Sequence, residues 1–294
     1  MAAPIQRILV VGTGLLGAST GLALRAAGFS GTLCGWDKDA AQLRTALERN
    51  ALDKAAADIG EAIQLARSAD LILLSGPVYS ILDWMQTLAA TLGPHQLLTD
   101  VGSTKSQITA AAQRLFAASD RAAFLPGHPM AGREISGAAA ADPALFRGAT
   151  WIFTPASDSF AAPRQRERAD LWREWVRRIG ALPLEMDAVD HDQLLAWTSH
   201  LPQFVATALA AELQSRLGAP DSAHRKIGGR ALREMTRLGA SPFSMWRDIA
   251  ATNSEAIAAA LHALEQRLAH IRENLRTPEL REEFERANRF RSES

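Results

Sequence analysis

The chain has 294 residues, enough for two domains that each bury a core. Its 32 basic and 32 acidic side chains cancel, so charge gives no case for a nucleic-acid or anionic-membrane partner, and its one cysteine, Cys34, excludes an internal disulfide or a multi-cysteine metal site. No stretch approaches the length of a membrane span, and the apolar start is broken by glycines without a cleavage-site pattern, which leads us to expect a soluble, cytoplasmic protein.

Residues 8–11 form a short apolar run of the kind buried in a parallel sheet, and it ends in Gly12, Gly14 and Gly17. The spacing is G-x-G-x-x-G. The first glycine suits a tight strand-to-helix turn, the second lets main chain approach a pyrophosphate, and the third lets the helix lie close to the strand. A helix from Leu15 to about residue 27 aims its N-terminal N–H groups at that phosphate, with Gly28 placed to stop it. A second strand, residues 32–36, delivers Asp37 about 20 residues beyond the last glycine, where an acid accepts from the adenosine ribose. A carboxylate there repels the extra phosphate of NADP and favours NAD, although Lys38 beside it is a cation that tolerates that phosphate.

A helix over residues 39–50 and an amphipathic segment over residues 60–66 follow, then a buried strand over residues 70–75 that closes in Gly76-Pro77. Ser75 and Pro77 thus present main-chain groups at the carboxyl edge of the sheet, where ligands bind in doubly wound folds. After a helix over residues 78–92, a strand over residues 96–101 runs into Gly102, Ser103, Thr104 and Lys105. Ser103 and Lys105 there are either site groups or a helix N-cap beside a solvated lysine. A strand at residues 123–125 leads into a stiff loop that holds His128 between proline and glycine residues, a placement that suits a functional histidine. Strands over residues 150–154 and 182–186 flank a helix over residues 164–179.

From residue 188 onward the pattern is helical only. We therefore expect an α/β dinucleotide-binding domain, residues 1–187, followed by an all-helical domain, residues 188–294. A long helix over residues 187–216 carries His191, Asp192, Ser199, His200 and Gln203, with Pro202 inside it freeing the carbonyl of Thr198. After Ser241-Pro242, apolar residues recur at helical spacing from Trp246 through Ile249, Ile257, Leu261, Leu264, Leu268 and Ile271 to Leu275, with Asn253 interrupting. So long a seam on a small domain calls for a partner helix, which a twofold homodimer supplies. The charged end, residues 279–294, reads as a terminal helix.

Five blocks in this order resemble the prephenate dehydrogenase family, which includes arogenate and cyclohexadienyl dehydrogenases of tyrosine biosynthesis. They are GTGLLGAS at residues 12–19, DVGSTK at 100–105, GHPMAGRE at 127–134, HDQLLAWTSHLP at 191–202 and MTRLGASPFSMWRDI at 235–249. The first is shared by many dehydrogenases; the other four are specific. The resemblance implies a Rossmann-type doubly wound domain, a helical domain through which two subunits associate, and NAD-dependent oxidative decarboxylation of prephenate. It implies that His128 takes the ring hydroxyl proton and that Ser103 contacts both histidine and hydroxyl. It implies that Arg237 binds a substrate carboxylate, that Ser199, His200 and Trp246 line the pocket, and that Glu134 and Glu234 form a gating ion network around Arg237. The cofactor would lie along Gly12, Gly14, Leu15, Leu16 and Gly17, with Asp37, Ser75 and Pro77 beside it.

One position departs from the family pattern. After SHLP some prephenate-using members carry a second histidine near the substrate side chain, where this chain has Gln203. An amide neither attracts the pyruvyl carboxylate strongly nor repels the ammonium of arogenate, so use of arogenate stays open. A 3-hydroxy acid dehydrogenase shares the two-domain plan but needs a catalytic lysine on the helical domain, where the chain offers Lys226 alone, in an expected loop.

Overall fold

The computed structural model describes residues 3–133, 135–156, 160–217 and 227–293. Six parallel strands form the main sheet in the order β3-β2-β1-β4-β5-β6: β1 Arg7–Val11, β2 Thr32–Trp36, β3 Lys54–Ala55, β4 Leu71–Leu74, β5 Leu97–Asp100 and β6 Ala123–Leu125. The helices between them are α1 Leu15–Ala26, α2 Ala40–Glu48, α3 Ile59–Ser68, α4 Val78–Leu88 and α5 Ser106–Phe116. This is the Rossmann-type doubly wound order, whose switch point lies between β1 and β4. Side chains alternate along each strand, so Ile8 and Val10 enter one core with Leu33 and Trp172, while Leu9 and Val11 enter the opposite core with Met85 and Phe116. Burial on both faces is why these strands read as unbroken apolar runs.

His128 is not on a loop. Residues Gly127–Pro129 form β7, which pairs antiparallel with β8, Thr150–Phe153, and β8 pairs parallel with β9, Leu182–Glu185. Pro126 has no N–H to continue the β6 ladder, and the chain turns there into this second sheet. Helix α6, Pro163–Arg178, packs Trp172 against Trp151 of β8, ring centroids 5.9 Å apart.

Beyond Glu185 the described residues are helical: α7 Ala188–Leu195, α8 Leu201–Leu217, α9 Gly229–Thr236, α10 Phe243–Thr252, α11 Ser254–Glu273 and α12 Glu279–Glu293. The long helix expected over residues 187–216 is broken. A π-helical turn, Ala196–His200, separates α7 from α8, because Pro202 cannot donate the next bond and the wider turn absorbs the mismatch. Asn253 likewise breaks the expected seam helix into α10 and α11. The seam is buried at Ile249 and Ile257 but exposed at Leu268 and Leu275. No helix among the described residues is long and apolar enough to cross a membrane.

Three polar ties dock the helices on the sheet. The Asp192 carboxylate accepts from Lys105 N and Ser106 N at the start of α5, at 2.7 and 2.8 Å. Tyr79 N of α4 donates to Asp248 at 3.2 Å, and the hydroxyls of Thr104 and Thr252 meet at 2.7 Å. Two of these ties satisfy helix N-terminal N–H groups with a carboxylate from a different element, where the positive helix end favours it.

Candidate active site

At the carboxyl ends of β1 and β4 the chain leaves two adjoining cavities. The smaller, about 230 Å³, is lined by Gly12, Gly14, Asp37, Lys38, Ser75 and Pro77. The larger, about 530 Å³, continues past Gly14, Leu15 and Leu16 to Ser103, His128, Ser199, His200 and Trp246. Sequence positions up to 238 residues apart thus share one wall system, from Leu74 and Val11 on the sheet to Ile249 on α10.

The glycine loop is shaped for a bound group. Gly12 has φ +92°, and a Cβ there would lie 2.3 Å from the Ser75 carbonyl oxygen. Gly17 lies behind the wall: a Cβ would be 2.0 Å from the Gly12 carbonyl oxygen, so glycine is what lets α1 approach the strand. At Gly14 a Cβ would meet nothing within 4 Å, since that position faces the open cavity. Helix α1 has no side-chain cap, which leaves its first N–H groups to an anion. Ser75 Oγ, buried in the shared wall, has no hydrogen-bond partner within the protein. Asp37 steadies the loop by accepting from Thr13 N at 2.6 Å and from Asp39 N at 2.9 Å. These features fit a dinucleotide along Gly12, Gly14, Leu15 and Leu16.

His128 is buried and held by a relay that sequence reading left unassigned. His191 Nδ1 lies 2.8 Å from Asp192 Oδ1, and His191 Nε2 lies 2.9 Å from His128 Nδ1. A carboxylate only accepts, so His191 Nδ1 carries the proton. His191 Nε2 then accepts from His128 Nδ1–H, and His128 Nε2 keeps its lone pair. Burial, then the neighbouring His191 and Lys105, hold His128 well below the usual histidine range. Burial also lowers His191, although Asp192 opposes the shift. His200 is pushed down to about 4, chiefly by burial. Its Nδ1 lies 3.2 Å from the Asn253 amide nitrogen, which donates 2.7 Å to the Asp192 carbonyl as well. Neutral His200 therefore keeps its proton on Nε2 and is a donor there.

Lys105 is fully buried rather than solvated. It pairs with Asp100 and donates to the Gly127 carbonyl at 2.6 Å, while Asp100 accepts from Gly127 N at 3.0 Å and Gly102 N at 2.7 Å. The pair fixes the peptides next to His128 and Ser103. Ser103 is not the helix cap; Asp192 supplies that function from α7. Gly127 has no room for a side chain, since a Cβ would sit 2.8 Å from Asp100 O and 2.9 Å from Trp151 Nε1.

Of the residues expected at the substrate, Ser103, His128, Ser199, His200 and Trp246 stand together in the larger cavity. Gln203 does not. Its amide donates to Leu238 O at 2.7 Å and accepts from Ser241 Oγ at 3.1 Å, which clasps the turn leading into the cavity wall. Arg237 is exposed on that turn, outside the cavity walls, whereas Ser241 and Pro242 just after it are in them. Glu234 pairs with Arg230 at 2.6 Å on the surface of α9. Glu134 and Lys226 lie outside the described residues. His191, Asp192 and Asn253 carry no assigned role in the sequence reading, and the structure gives them one. Their signal was two polar residues opening a helix and an asparagine interrupting an apolar seam.

Sheet order, glycine loop and paired cavities define a two-domain dinucleotide-binding protein. The chain belongs to the prephenate dehydrogenase family: the model of its nucleotide-binding domain matches residues 20–177, and that of its dimerization domain matches residues 187–289. A prephenate dehydrogenase of Lactococcus lactis subsp. cremoris is 30% identical over 85% of this chain, which spans 66% of that relative's length. Among solved structures, prephenate dehydrogenase from Aquifex aeolicus in complex with hydroxyphenyl propionate and NAD+ superposes with a TM-score of 0.88 at 27% identity, covering 100% of this chain and 99% of that one. Synechocystis arogenate dehydrogenase gives 0.74 at 29%, covering 98% and 99%.

Proposed function

We propose that the protein catalyses NAD-dependent oxidative decarboxylation of prephenate to 4-hydroxyphenylpyruvate, as a cytoplasmic homodimer whose domains meet near residue 187. The supporting observation is the neutral His128 imidazole, tied by Nδ1 to His191 and Asp192, in the wall of a cavity continuous with the glycine loop. NAD, when bound, supplies the hydride acceptor. His128 Nε2 takes the ring hydroxyl proton as the hydride leaves the same carbon, so the C–O bond becomes a carbonyl. The C–C bond to the ring carboxylate then breaks; carbon dioxide departs and its electron pair completes the aromatic ring. Ser103 orients the hydroxyl, and His200 donates from Nε2. Asp37 would hold the ribose and Ser75 a neighbouring polar group of the cofactor.

Association into dimers is supported by the matched domain's description and by exposed Leu268, Leu275, Phe284 and Phe290. A second reading, arogenate as substrate, is favoured by the engagement of Gln203 in its clasp, which leaves that position no part in reading a side-chain charge. Absorbance at the reduced-nicotinamide band, with prephenate or arogenate and NAD or NADP, tests both; no turnover in any combination removes the proposal.

A further inference from the structure

The cavity walls are almost uncharged. Around His128 they are built of Gly, Ser, Pro, Leu, Met and Trp side chains and two histidines held neutral, and the one permanently charged side chain among the described lining residues is Arg133. A carboxylate entering such a space loses hydration and needs a cation with hydrogen-bond donors.

Arg133 stands on the segment that follows β7, between two anchors. Met130 N donates to Thr150 O at 2.7 Å, and Ala138 N donates to Gln42 Oε1 at 2.7 Å. Its side chain is 45% exposed, at the cavity mouth, and is paired with Asp142. Asp142 does not depend on that pair. Its Oδ1 accepts from Ala144 N at 2.8 Å, and its own N–H is 3.0 Å from Ser19 Oγ. The guanidinium can therefore exchange the Asp142 carboxylate for another without dismantling the loop, and its planar fork suits a carboxylate bidentately.

We propose that Arg133 leaves Asp142 to bind the side-chain carboxylate of the substrate, and so is a substrate-binding residue. The proposal rests on the functional reading above, in which His128 holds the hydroxyl end of the ring. The carboxylate at the far end of the side chain then lies toward the mouth, where Arg133 is. The same cavity passes Gly14, Leu15 and Leu16, so the cofactor diphosphate is the competing anion that the experiment must separate.

The test is titration of the NAD-loaded protein with 4-hydroxyphenylpropionate and with 4-ethylphenol, which has the phenol but no carboxylate, together with titration of the free protein with NAD. Arg133→Ala should weaken the acid tenfold or more and leave 4-ethylphenol and NAD within twofold, and Arg133→Lys should recover part of the loss. Asp142→Asn should hold or tighten the acid, because it removes the competing carboxylate; a purely structural ion pair predicts equal loss from both variants. Weaker NAD binding with the acid unaffected moves Arg133 to the diphosphate and overturns the proposal. Equal loss of acid and phenol, or no change in either, overturns it too. If the wild-type protein turns over neither substrate yet gives the expected titration pattern, the functional reading fails and the Arg133 assignment stands.

Discussion

Replacing Asp192 by Asn tests the relay with one changed atom. The carboxylate accepts from His191 Nδ1 at 2.8 Å and from two main-chain N–H groups at 2.7 and 2.8 Å. Oδ1 takes Lys105 N and His191 Nδ1 and Oδ2 takes Ser106 N, so an amide with its oxygen on Ser106 N turns its NH₂ to His191 Nδ1. That favours the opposite tautomer of His191, with a proton on Nε2 pointing at His128 Nδ1. His128 must then protonate Nε2, the atom that should accept. A hydrogen bond to a charged group contributes about 1.5–3 kcal/mol. At about 1.4 kcal/mol per decade, kcat should fall by about ten to a hundredfold. Stopped-flow and steady-state kinetics should show that fall with KM for NAD unchanged, since Asp192 borders neither the glycine loop nor the Asp37 cavity. Stability should drop by about 1–3 kcal/mol through the weakened α5 cap. A folded variant with kcat within twofold of wild type would refute the tautomer argument.

His128→Ala should lower kcat by about 10² to 10⁴, the usual weight of a general base, with NAD affinity retained by titration. The acid limb of the kcat–pH profile should lie below 6.5, because burial lowers the His128 pKa and the base works when neutral. Stability should follow the same histidines: below about 6.5 the unfolded chain binds protons that the folded chain refuses. With His200 at about 4 in the fold, the thermal midpoint should hold above pH 6.5 and fall steadily toward pH 4. Leu264→Glu with Leu268→Glu should convert a dimer to a folded monomer by sedimentation equilibrium; a mass that stays at twice 31.7 kDa would place the interface elsewhere.

Local rules made the first half of the chain legible. Four apolar strands, three glycines and an acid at the right interval encode the nucleotide fold almost without tertiary information, and β1, β2, β4 and β5 fall within a residue of the sequence reading. The active-site floor was harder because its logic is long-range. Lys105 reads equally as a site group or a solvated lysine until Asp100 and Gly127 close around it. Asp192 reads as an ordinary helix residue until it caps α5, 86 residues away. Gln203 shows the opposite error: a motif position invited a ligand role, but the donors and acceptors nearest its amide belong to the chain itself. The short β7 strand is not legible because three residues, the last of them Pro129, carry no periodicity, and only pairing with β8 defines them.

The most direct measurement is the ratio of carbon dioxide released to nicotinamide reduced, using prephenate labelled in its ring carboxylate with NAD in excess. One carbon dioxide per reduced nicotinamide is the result predicted for hydride loss at the hydroxyl carbon coupled to aromatisation. Reduced nicotinamide with the labelled carboxylate retained would mean simple alcohol oxidation, and it would contradict the assignment of this cavity to oxidative decarboxylation.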